Sequence, residues 1–340
     1  MNPTRPIEIV GGGLAGLSLG LALRRAGVPV TLCEAGVYPR HRVCGEFITG
    51  LSVATIAGLG LGPFLNDALR HREIAWFHDG HLARRQRLPS PAIALSRHRL
   101  DARIARAFAD AGGQLLTNHR STALDPVPGR VFTTGRRRAQ SGWLGLKIHA
   151  RNLPLLCDLE LHLGAETYIG LSRVEDGRVN LCGLFRRREI SAKGSELLLA
   201  YLHAANLSGL AARLAGADFD EASFSAVAAV DFDQHVPETD RVSLGDACAM
   251  IPPFTGNGMA MAFQSAETAL EPLLAYAAGT TEWPETCHAI HAALQQRFRL
   301  RLAAADLLHP FLLQPPRQRW LARLARAHCL PLQPLYSVLH

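Results

Sequence analysis

The sequence is poor in aromatic residues, in paired cysteines and in long apolar runs. Phe, Trp and Tyr make up 6% of the 340 residues, and no basic segment alternates with stacking aromatics, so we predict no nucleic-acid partner. No apolar run reaches the roughly 18 residues that a membrane-spanning helix requires, so we predict no transmembrane segment. The seven cysteines form no C-x-x-C pair and no metal-ligand spacing, which predicts a reducing environment and no metal site.

The chain also lacks a secretory signal, an internal repeat and a low-complexity tract. We therefore expect a cytoplasmic protein of two domains, or one nucleotide-binding domain with an insertion. The formal net charge is +7, and arginines are spread along the whole chain. One interpretation is a solvated basic surface; the other is attraction to an anionic cofactor, substrate, carrier protein or membrane surface. No feature of the sequence indicates an oligomeric state.

A glycine-rich turn lies between a strand and a helix at the start of the chain. Residues 7–10 read as a buried strand, and G-x-G-x-x-G follows at Gly11, Gly13 and Gly16. The first glycine permits the tight turn, the second lets phosphates approach the backbone, and the third allows close helix packing. Unpaired N–H groups at the start of the helix would bind a pyrophosphate, so Leu14 and Ala15 belong to the predicted site.

The next strand, residues 29–33, ends on an acid. Glu34 is placed to accept hydrogen bonds from a ribose, with Ala35 beside it. Strand, turn, helix, strand and acid agree, and together they predict a dinucleotide site.

A second turn, far along the chain, indicates which dinucleotide is bound. Gly245 and Asp246 end a strand, and Pro253, Gly256, Asn257 and Gly258 then open a helix. The Asp246 carboxylate can bond a ribityl hydroxyl, and backbone N–H groups of residues 256–258 can contact a flavin ring. A helix N-terminus under the pyrimidine end of the ring would stabilise negative charge on it. The sequence therefore predicts FAD.

The middle of the chain has the periodicity of strands. Residues 143–149, 159–163, 167–171, 179–185 and 224–232 are short apolar runs, and residues 74–78 and 83–88 fit a hairpin around Asp79 and Gly80. The apolar pattern predicts a single helix over residues 197–214. We expect an FAD-binding domain from residues 1–72, 93–140 and 236–285, a substrate-binding sheet from 73–92 and 141–235, and C-terminal helices over 286–340.

The two glycine turns together resemble the flavoprotein superfamily of para-hydroxybenzoate hydroxylase and geranylgeranyl reductase. Residues 42–46 are similar to the Cys-Gly loop beside the flavin in geranylgeranyl-reductase-like members, which implies that Arg42, Cys44 and Gly45 contact FAD. Residues 97–101 match an Arg-x-x-Leu/Phe-Asp stretch whose arginine touches the cofactor, here Arg97. The resemblance covers about residues 5–285.

This resemblance implies an α/β fold with a Rossmann-like FAD-binding domain of the glutathione-reductase type. That domain has βαβ units on a parallel sheet, an inserted and mostly antiparallel substrate sheet, and a C-terminal helical segment. Residues 143–149, 168–171 and 180–183 resemble the substrate sheet of small bacterial members that often accompany polyketide-type biosynthesis. The expected substrate is therefore an apolar or aromatic small molecule of secondary metabolism.

The sequence departs from the family at the motif that serves the pyrophosphate and the nicotinamide donor. Thr134 stands where the family usually has Asp, followed by Gly135 and the arginines 136–138. NAD(P)H is kept as a candidate transient electron donor, and the arginines fit either a phosphate or a solvated turn. The aromatic-rich motif of the reductases has also lost most of its aromatic residues in this sequence, so isoprenoid specificity does not carry over.

Two reactions fit a flavin in this setting. Reduced flavin can activate oxygen to hydroxylate an electron-rich ring, which needs a dry pocket. It can instead pass hydride to an activated C=C bond, which needs a proton donor such as Cys44, Tyr168 or His149. Each of these residues also fits a purely structural role. We predict a monooxygenase, with a C=C reductase as the alternative and a non-catalytic lipid carrier as the third.

The C-terminal arm places several arginines and Trp320 among leucines. Such a basic amphipathic segment fits a cap over the substrate pocket or peripheral contact with a membrane surface.

Overall fold

The computed structural model describes residues 4–122, 125–136, 141–228, 239–327, 329 and 332–339. Its strands, in chain order, are β1 Ile7–Val10, β2 Val30–Cys33, β3 Phe47–Ile48, β4 Leu69–His78, β5 His81–Ala94, β6 Gln114–Leu116, β7 Arg130–Phe132, β8 Trp143–Arg151, β9 Leu159–Gly164, β10 Thr167–Arg173, β11 Val179–Arg186, β12 Asp218–Ala228 and β13 Val242–Ser243.

Its α-helices are α1 Leu14–Arg25, α2 Val53–Gly58, α3 Gly62–Leu65, α4 Arg97–Asp110, α5 Gly194–Ala204, α6 Ser208–Leu214, α7 Gly258–Ala277, α8 Trp283–Leu313, α9 Pro315–Arg326 and α10 Leu332–Leu339. Short 3₁₀ turns occur at Glu175–Gly177, Gly245–Ala247 and Pro253–Thr255. No described helix combines the length and apolarity needed to cross a bilayer.

The sheet that carries the glycine turn is parallel, with the strand order β13-β7-β1-β2-β6. β1 pairs with β2 on one side and with β7 on the other, so the chain must cross over between them, and α1 makes the first crossover. Leu17, Leu19 and Leu21 of α1 are fully buried, because α4 and α7 pack against this helix. The predicted βαβ unit on a parallel sheet is confirmed.

The second sheet has eight strands in the order β12-β8-β11-β10-β9-β4-β5-β3. Every neighbouring pair is antiparallel except β4 with β9, so the predicted mostly antiparallel sheet is confirmed. The predicted hairpin also forms, with His78 opposite His81 across the turn. The strand expected over 224–232 is part of β12, and residues 229–232 lie outside the described residues.

One predicted element is wrong. The sequence predicts a single helix over 197–214, but the structure has two, α5 and α6. The break falls at Asn206, whose φ of 62° lies in the left-handed region. Asparagine adopts that conformation more readily than most residues, and one such residue ends an α-helix.

The long helix α8 belongs to two hydrophobic cores. Near its start, Cys287 and Ile290 are fully buried in the core that surrounds the parallel sheet. At its end, Leu312 and Leu313 pack into a different core with Leu159, Leu161 and Tyr168 of the substrate sheet. This helix therefore joins the two halves of the molecule and brings its last turns to the substrate side.

Candidate functional site

A cavity of about 1420 Å³ lies where the carboxyl ends of the parallel strands, the second sheet and the C-terminal helices meet. Its wall brings together most of the predicted cofactor-binding residues, which come from stretches far apart in sequence: Gly11, Gly13, Leu14, Ala15, Glu34, Ala35, Arg42, Cys44, Gly45, Arg97, Gly245, Asp246, Pro253, Gly256 and Gly258. This is the edge at which open α/β sheets bind their ligands.

The first glycine turn is shaped as an open cradle. Gly11 has a φ of 113°, and a Cβ there would lie 2.3 Å from the carbonyl oxygen of Thr133. A Cβ on Gly16 would lie 2.2 Å from the Gly11 carbonyl oxygen, so that glycine lies beneath the turn and serves packing. A Cβ on Gly13 would meet no atom within 4 Å, and no side chain caps α1. The N-terminus of α1 therefore points its N–H groups into the cavity, where an anion fits.

Glu34 ends β2 beside this cradle and is buried. Its carboxylate accepts hydrogen bonds from the backbone N–H groups of Gly12 (2.8 Å) and Gly36 (2.9 Å). Burial alone would raise the pKa of Glu34, but Arg42 and these two N–H groups outweigh it and lower the pKa. The carboxylate is therefore ionised and can accept hydrogen bonds from ribose hydroxyls.

Two arginines on the cavity wall share one buried carboxylate. Arg97 donates two hydrogen bonds to Asp101, at 2.6 and 2.8 Å, and Arg42 donates a third at 3.1 Å. Asp101 is fully buried and holds both guanidinium groups in place. The sequence matched Asp101 to a family motif but did not assign it this positioning role.

The second glycine turn lies against the first at the cavity wall. Gly245 has a φ of 60°, and a Cβ there would lie 3.3 Å from Cβ of Ala15. Next to it, Asp246 lines the cavity; desolvation raises its pKa, opposed by Arg97 and Arg136. Thr134, Gly135 and Arg136 reach the same wall, whereas residues 137 and 138 lie outside the described residues.

Asn257 does not reach the cavity with its side chain. Its Nδ2 donates to the carbonyl oxygen of Leu339 in α10 (2.5 Å), and its Oδ1 accepts from Thr49 (2.8 Å). The buried amide thus ties the second glycine turn to the end of the chain.

The Cys44–Gly45 loop forms another part of the wall. Burial raises the pKa of Cys44, so its thiol is neutral and suited to donate a proton rather than to act as a thiolate nucleophile. Asn180 holds the loop by donating from Nδ2 to the Cys44 carbonyl oxygen at 3.0 Å.

Behind this loop lies a group of ionisable side chains that the sequence did not single out as a unit. Glu46, Lys147 and His149 are fully buried, and His149 therefore lies behind the cavity wall rather than on it. His149 Nε2 lies 2.6 Å from Glu46 Oε2, and Lys147 Nζ lies 3.6 Å from Glu46 Oε1. Residues 147 and 149 share one face of β8. This alternation of polar residues in an otherwise apolar strand is the sequence feature from which the buried cluster could have been predicted.

One set of side chains near this group has the ligand types of a metal site. Nitrogen or oxygen atoms of His41, His149 and Asp220 lie within 4.8 Å of one another. Lys147 Nζ, however, lies 3.0 Å from Nδ1 of His41, and an ammonium there would repel a cation. The absence of a metal stays a prediction.

The other part of the cavity is apolar. Its walls come from β4, β9 and β11 and from the C-terminal helices, and include Ile74, Trp76, Leu161, Leu184, Leu308, Phe311, Leu312 and Leu321. Tyr168 is one of the polar residues on the cavity wall. Burial raises its pKa well above the ordinary value, and the backbone of Phe254 beside its hydroxyl opposes this rise. A protonated phenol thus faces an apolar chamber, as the prediction of Tyr168 as a proton donor requires.

Comparisons with solved structures establish the fold. The p-nitrophenol 4-monooxygenase PnpA from Pseudomonas putida superposes with a TM-score of 0.76 at 15% identity, covering 100% of this chain and 97% of that one. Klebsiella pneumoniae HpxO, determined with FAD and uric acid, superposes with a TM-score of 0.75 at 15% identity, covering 98% and 95%. The resemblance to the para-hydroxybenzoate hydroxylase type of flavoprotein is confirmed at the level of the fold.

Sequence comparison gives a shorter match. The menaquinone reductase of Mycobacterium tuberculosis is 31% identical over 135 residues, which cover 36% of this chain and 31% of that protein. The enzyme of the same name from Mycolicibacterium smegmatis is 29% identical over 127 residues, covering 34% and 29%. The match thus spans about a third of the length of these curated relatives. No protein-family model matches the chain.

Proposed function

We propose that this chain is an FAD-dependent oxidoreductase that binds FAD between its two glycine turns. The observation that carries the proposal is the single cavity wall on which both turns, the end of β2, the Cys44–Gly45 loop and Arg97 meet. The residues fit the cofactor: the uncapped N-terminus of α1 and the open space at Gly13 suit a pyrophosphate, and Glu34 suits a ribose. When bound, FAD would supply the two-electron chemistry.

We further propose hydroxylation of an apolar or aromatic, polyketide-type small molecule, with NAD(P)H as a transient electron donor. The apolar chamber supports this, because hydroxylation needs water to be excluded and no dedicated protein acid. The structural neighbours named as monooxygenases support it as well. The second candidate, reduction of a C=C bond, is favoured by the buried phenol of Tyr168 and by the name of the curated relatives.

Labelled oxygen separates the two reactions. We expect purified enzyme, given NAD(P)H or a chemical reductant, ¹⁸O₂ and a panel of alkylphenols, resorcinols and quinones, to form a product that carries one ¹⁸O atom by mass spectrometry. Tyr168→Phe is expected to change this rate little, whereas a reductase that uses the phenol as its acid would lose about 10²–10⁴-fold. An unlabelled product with two added hydrogens would overturn hydroxylation in favour of reduction, and FAD binding without turnover would favour the carrier.

The C-terminal arm forms part of the cavity wall. Leu321 of α9 lines the chamber, and buried Gln318 donates to the Gly164 carbonyl oxygen at 2.8 Å. The opposite face of α9 is exposed and carries Arg319, Trp320 and Arg323, with Trp320 54% exposed. This face supports the proposal of peripheral contact with an anionic membrane, since each basic residue near such a surface contributes about 1 kcal/mol.

We predict that the wild-type chain sediments with phosphatidylglycerol-containing vesicles at low salt and much less at high salt. Reversing two charges in Arg319→Glu/Arg323→Glu should weaken this binding by at least about tenfold, at about 1 kcal/mol per residue. The matched control is Arg72→Glu/Arg106→Glu, which reverses two exposed arginines on β4 and α4. Equal loss in both variants, or no sedimentation of the wild type at low salt, would contradict contact through α9.

A further inference from the structure

Three ionisable side chains, those of Glu46, Lys147 and His149, are buried together in one cluster. It lies directly behind Cys44 and Gly45, which line the cavity, and Glu46 accepts a hydrogen bond from the backbone N–H of Arg97 at 3.0 Å. Glu46 also has a φ of 53°, a conformation unusual for a residue other than glycine. Strain, buried charge and proximity to a binding site coincide here, as they do at functional sites.

The hydrogen bonds fix where the protons of the cluster lie. His149 and Lys147 outweigh burial and lower the pKa of Glu46, so its carboxylate is ionised and Nε2 of His149 must donate to it. Burial and Lys147 lower the pKa of His41 to about 4, so its Nδ1 accepts from the Lys147 ammonium at 3.0 Å. Glu46 and Lys147 thus neutralise each other.

One proton position in the cluster is vacant. Nδ1 of His149 is buried and makes no hydrogen bond within the described residues. A buried polar nitrogen without a partner is rare enough to call for an explanation. Since Nε2 already holds a proton, Nδ1 presents a lone pair that can accept another. The carboxylate of the more accessible Asp220 lies within 4.8 Å of a ring nitrogen of His149 and of His41.

Other charged and titratable groups lie around the cluster of Glu46, Lys147 and His149, on the elements that pack against it. They are His41 and Cys44 from the loop before β3, Arg97 and His98 from α4, Arg178 and Cys182 from the region of β11, and Asp220 from β12. Burial lowers the pKa of His98, and burial raises that of Cys182, so both are neutral near pH 7.

We propose that Nδ1 of His149 takes up one proton from solvent, through the side of Asp220, when FAD bound in the adjacent cavity accepts two electrons. This inference rests on the proposed function. Electrons come from a nicotinamide or chemical reductant and remain on the cofactor; the only bond formed in the cluster is N–H. Negative charge arriving beyond the Cys44–Gly45 loop favours the imidazolium, because a nearby opposite charge stabilises the charged form.

The structure also offers a matched control. Glu160 and His162 form a second buried pair, with Nε2 of His162 2.9 Å from Glu160 Oε2 and Nδ1 again without a partner in the described part of the chain. The charged group that accompanies this pair is Arg213, not a residue of the Cys44–Gly45 loop. A generic effect of removing a buried histidine would therefore appear at both sites.

The test is the pH dependence of the midpoint potential of the flavin, measured spectroelectrochemically on FAD-loaded protein between about pH 6 and 8. For a two-electron couple each bound proton contributes about 30 mV per pH unit. We expect the slope of potential against pH in His149→Gln to be smaller than in wild type, by up to the contribution of one proton. The slope in His162→Gln should equal that of wild type. Equal slopes in wild type and His149→Gln would overturn the inference while leaving FAD binding intact.

A second measurement needs no variant. A pH indicator can count the protons bound when the wild-type holoprotein is reduced electrochemically in weakly buffered, mildly alkaline solution, where reduced free FAD is an anion that has gained one proton. The holoprotein should bind up to one proton more per two electrons than free FAD does under the same conditions. Equal proton counts for protein and free FAD would overturn the inference even if His149→Gln failed to fold. A wild-type chain that binds no FAD at all would overturn the proposed function as well.

Discussion

Replacing Gly13 by aspartate is expected to weaken FAD binding by more than about 100-fold. Like charges about 4 Å apart repel by about 4 kcal/mol near a protein surface, and each 1.4 kcal/mol of binding free energy changes the dissociation constant about tenfold. The side chain would enter the open space at the N-terminus of α1, where the pyrophosphate is proposed to bind. Since a Cβ at this position meets no atom within 4 Å, the fold of the chain without cofactor should be unaffected.

Flavin fluorescence titration of protein freed of cofactor measures this affinity, and thermal unfolding checks the fold. Gly62→Asp is the matched control, because a Cβ on Gly62 also meets nothing within 4 Å and Gly62 lies outside the cavity wall. An unchanged FAD affinity in Gly13→Asp would place the pyrophosphate elsewhere and would sink the proposed binding mode.

Removing the carboxylate of Glu46 is expected to cost about 3–5 kcal/mol of unfolding free energy, the usual effect of leaving a buried charge without its partner. Lys147 is fully buried, and Glu46 is the carboxylate that faces it, at 3.6 Å. Chemical denaturation of Glu46→Ala measures the loss. The double variant Glu46→Ala/Lys147→Met should recover a large part of it, because the uncompensated ammonium is gone; no recovery would show that charge pairing is not the cause.

The same carboxylate gives a pH dependence of known sign. The pKa of Glu46 in the folded chain lies below its ordinary value of 4.5, so its ionised form stabilises the fold at all pH values above about 4.5. That stabilisation is lost as the pH falls through the lowered folded-state pKa. Glu46→Gln should therefore show a flatter acid limb in a plot of unfolding free energy against pH, and a limb parallel to wild type would contradict the ionised assignment.

The residues of the cavity wall that are proposed to bind FAD could be predicted from the sequence because they follow from backbone requirements. Gly11, Gly13 and Gly16 are dictated by a turn that a Cβ would obstruct or fill, and the spacing to Glu34 follows from one helix and one strand. Gly245 and Asp246 were found in the same way. Local sequence determines such features, so they can be recognised before the fold is known.

Long-range contacts account for what the sequence did not show. His149 was predicted as a proton donor to substrate, but β8 carries it behind the wall, where it bonds Glu46, 103 positions away. The amide of Asn257 bonds Leu339, 82 positions away, rather than projecting into the cavity. Lys147 was not identified because a lysine in a strand ordinarily reaches solvent. In the structure the loop before β3 covers it, with His41 Nδ1 at 3.0 Å and Glu46 Oε1 at 3.6 Å from its Nζ.

The path of α8 has a thermodynamic consequence. One rod of 31 residues contributes Cys287 and Ile290 to the interior of the nucleotide-binding half and Leu312 and Leu313 to that of the substrate half. Unfolding of either half therefore removes apolar contacts from a helix that also packs into the other half. The unfolding free energies of the two halves are thus linked. We therefore expect the two halves to unfold together, although their two sheets have separate topologies.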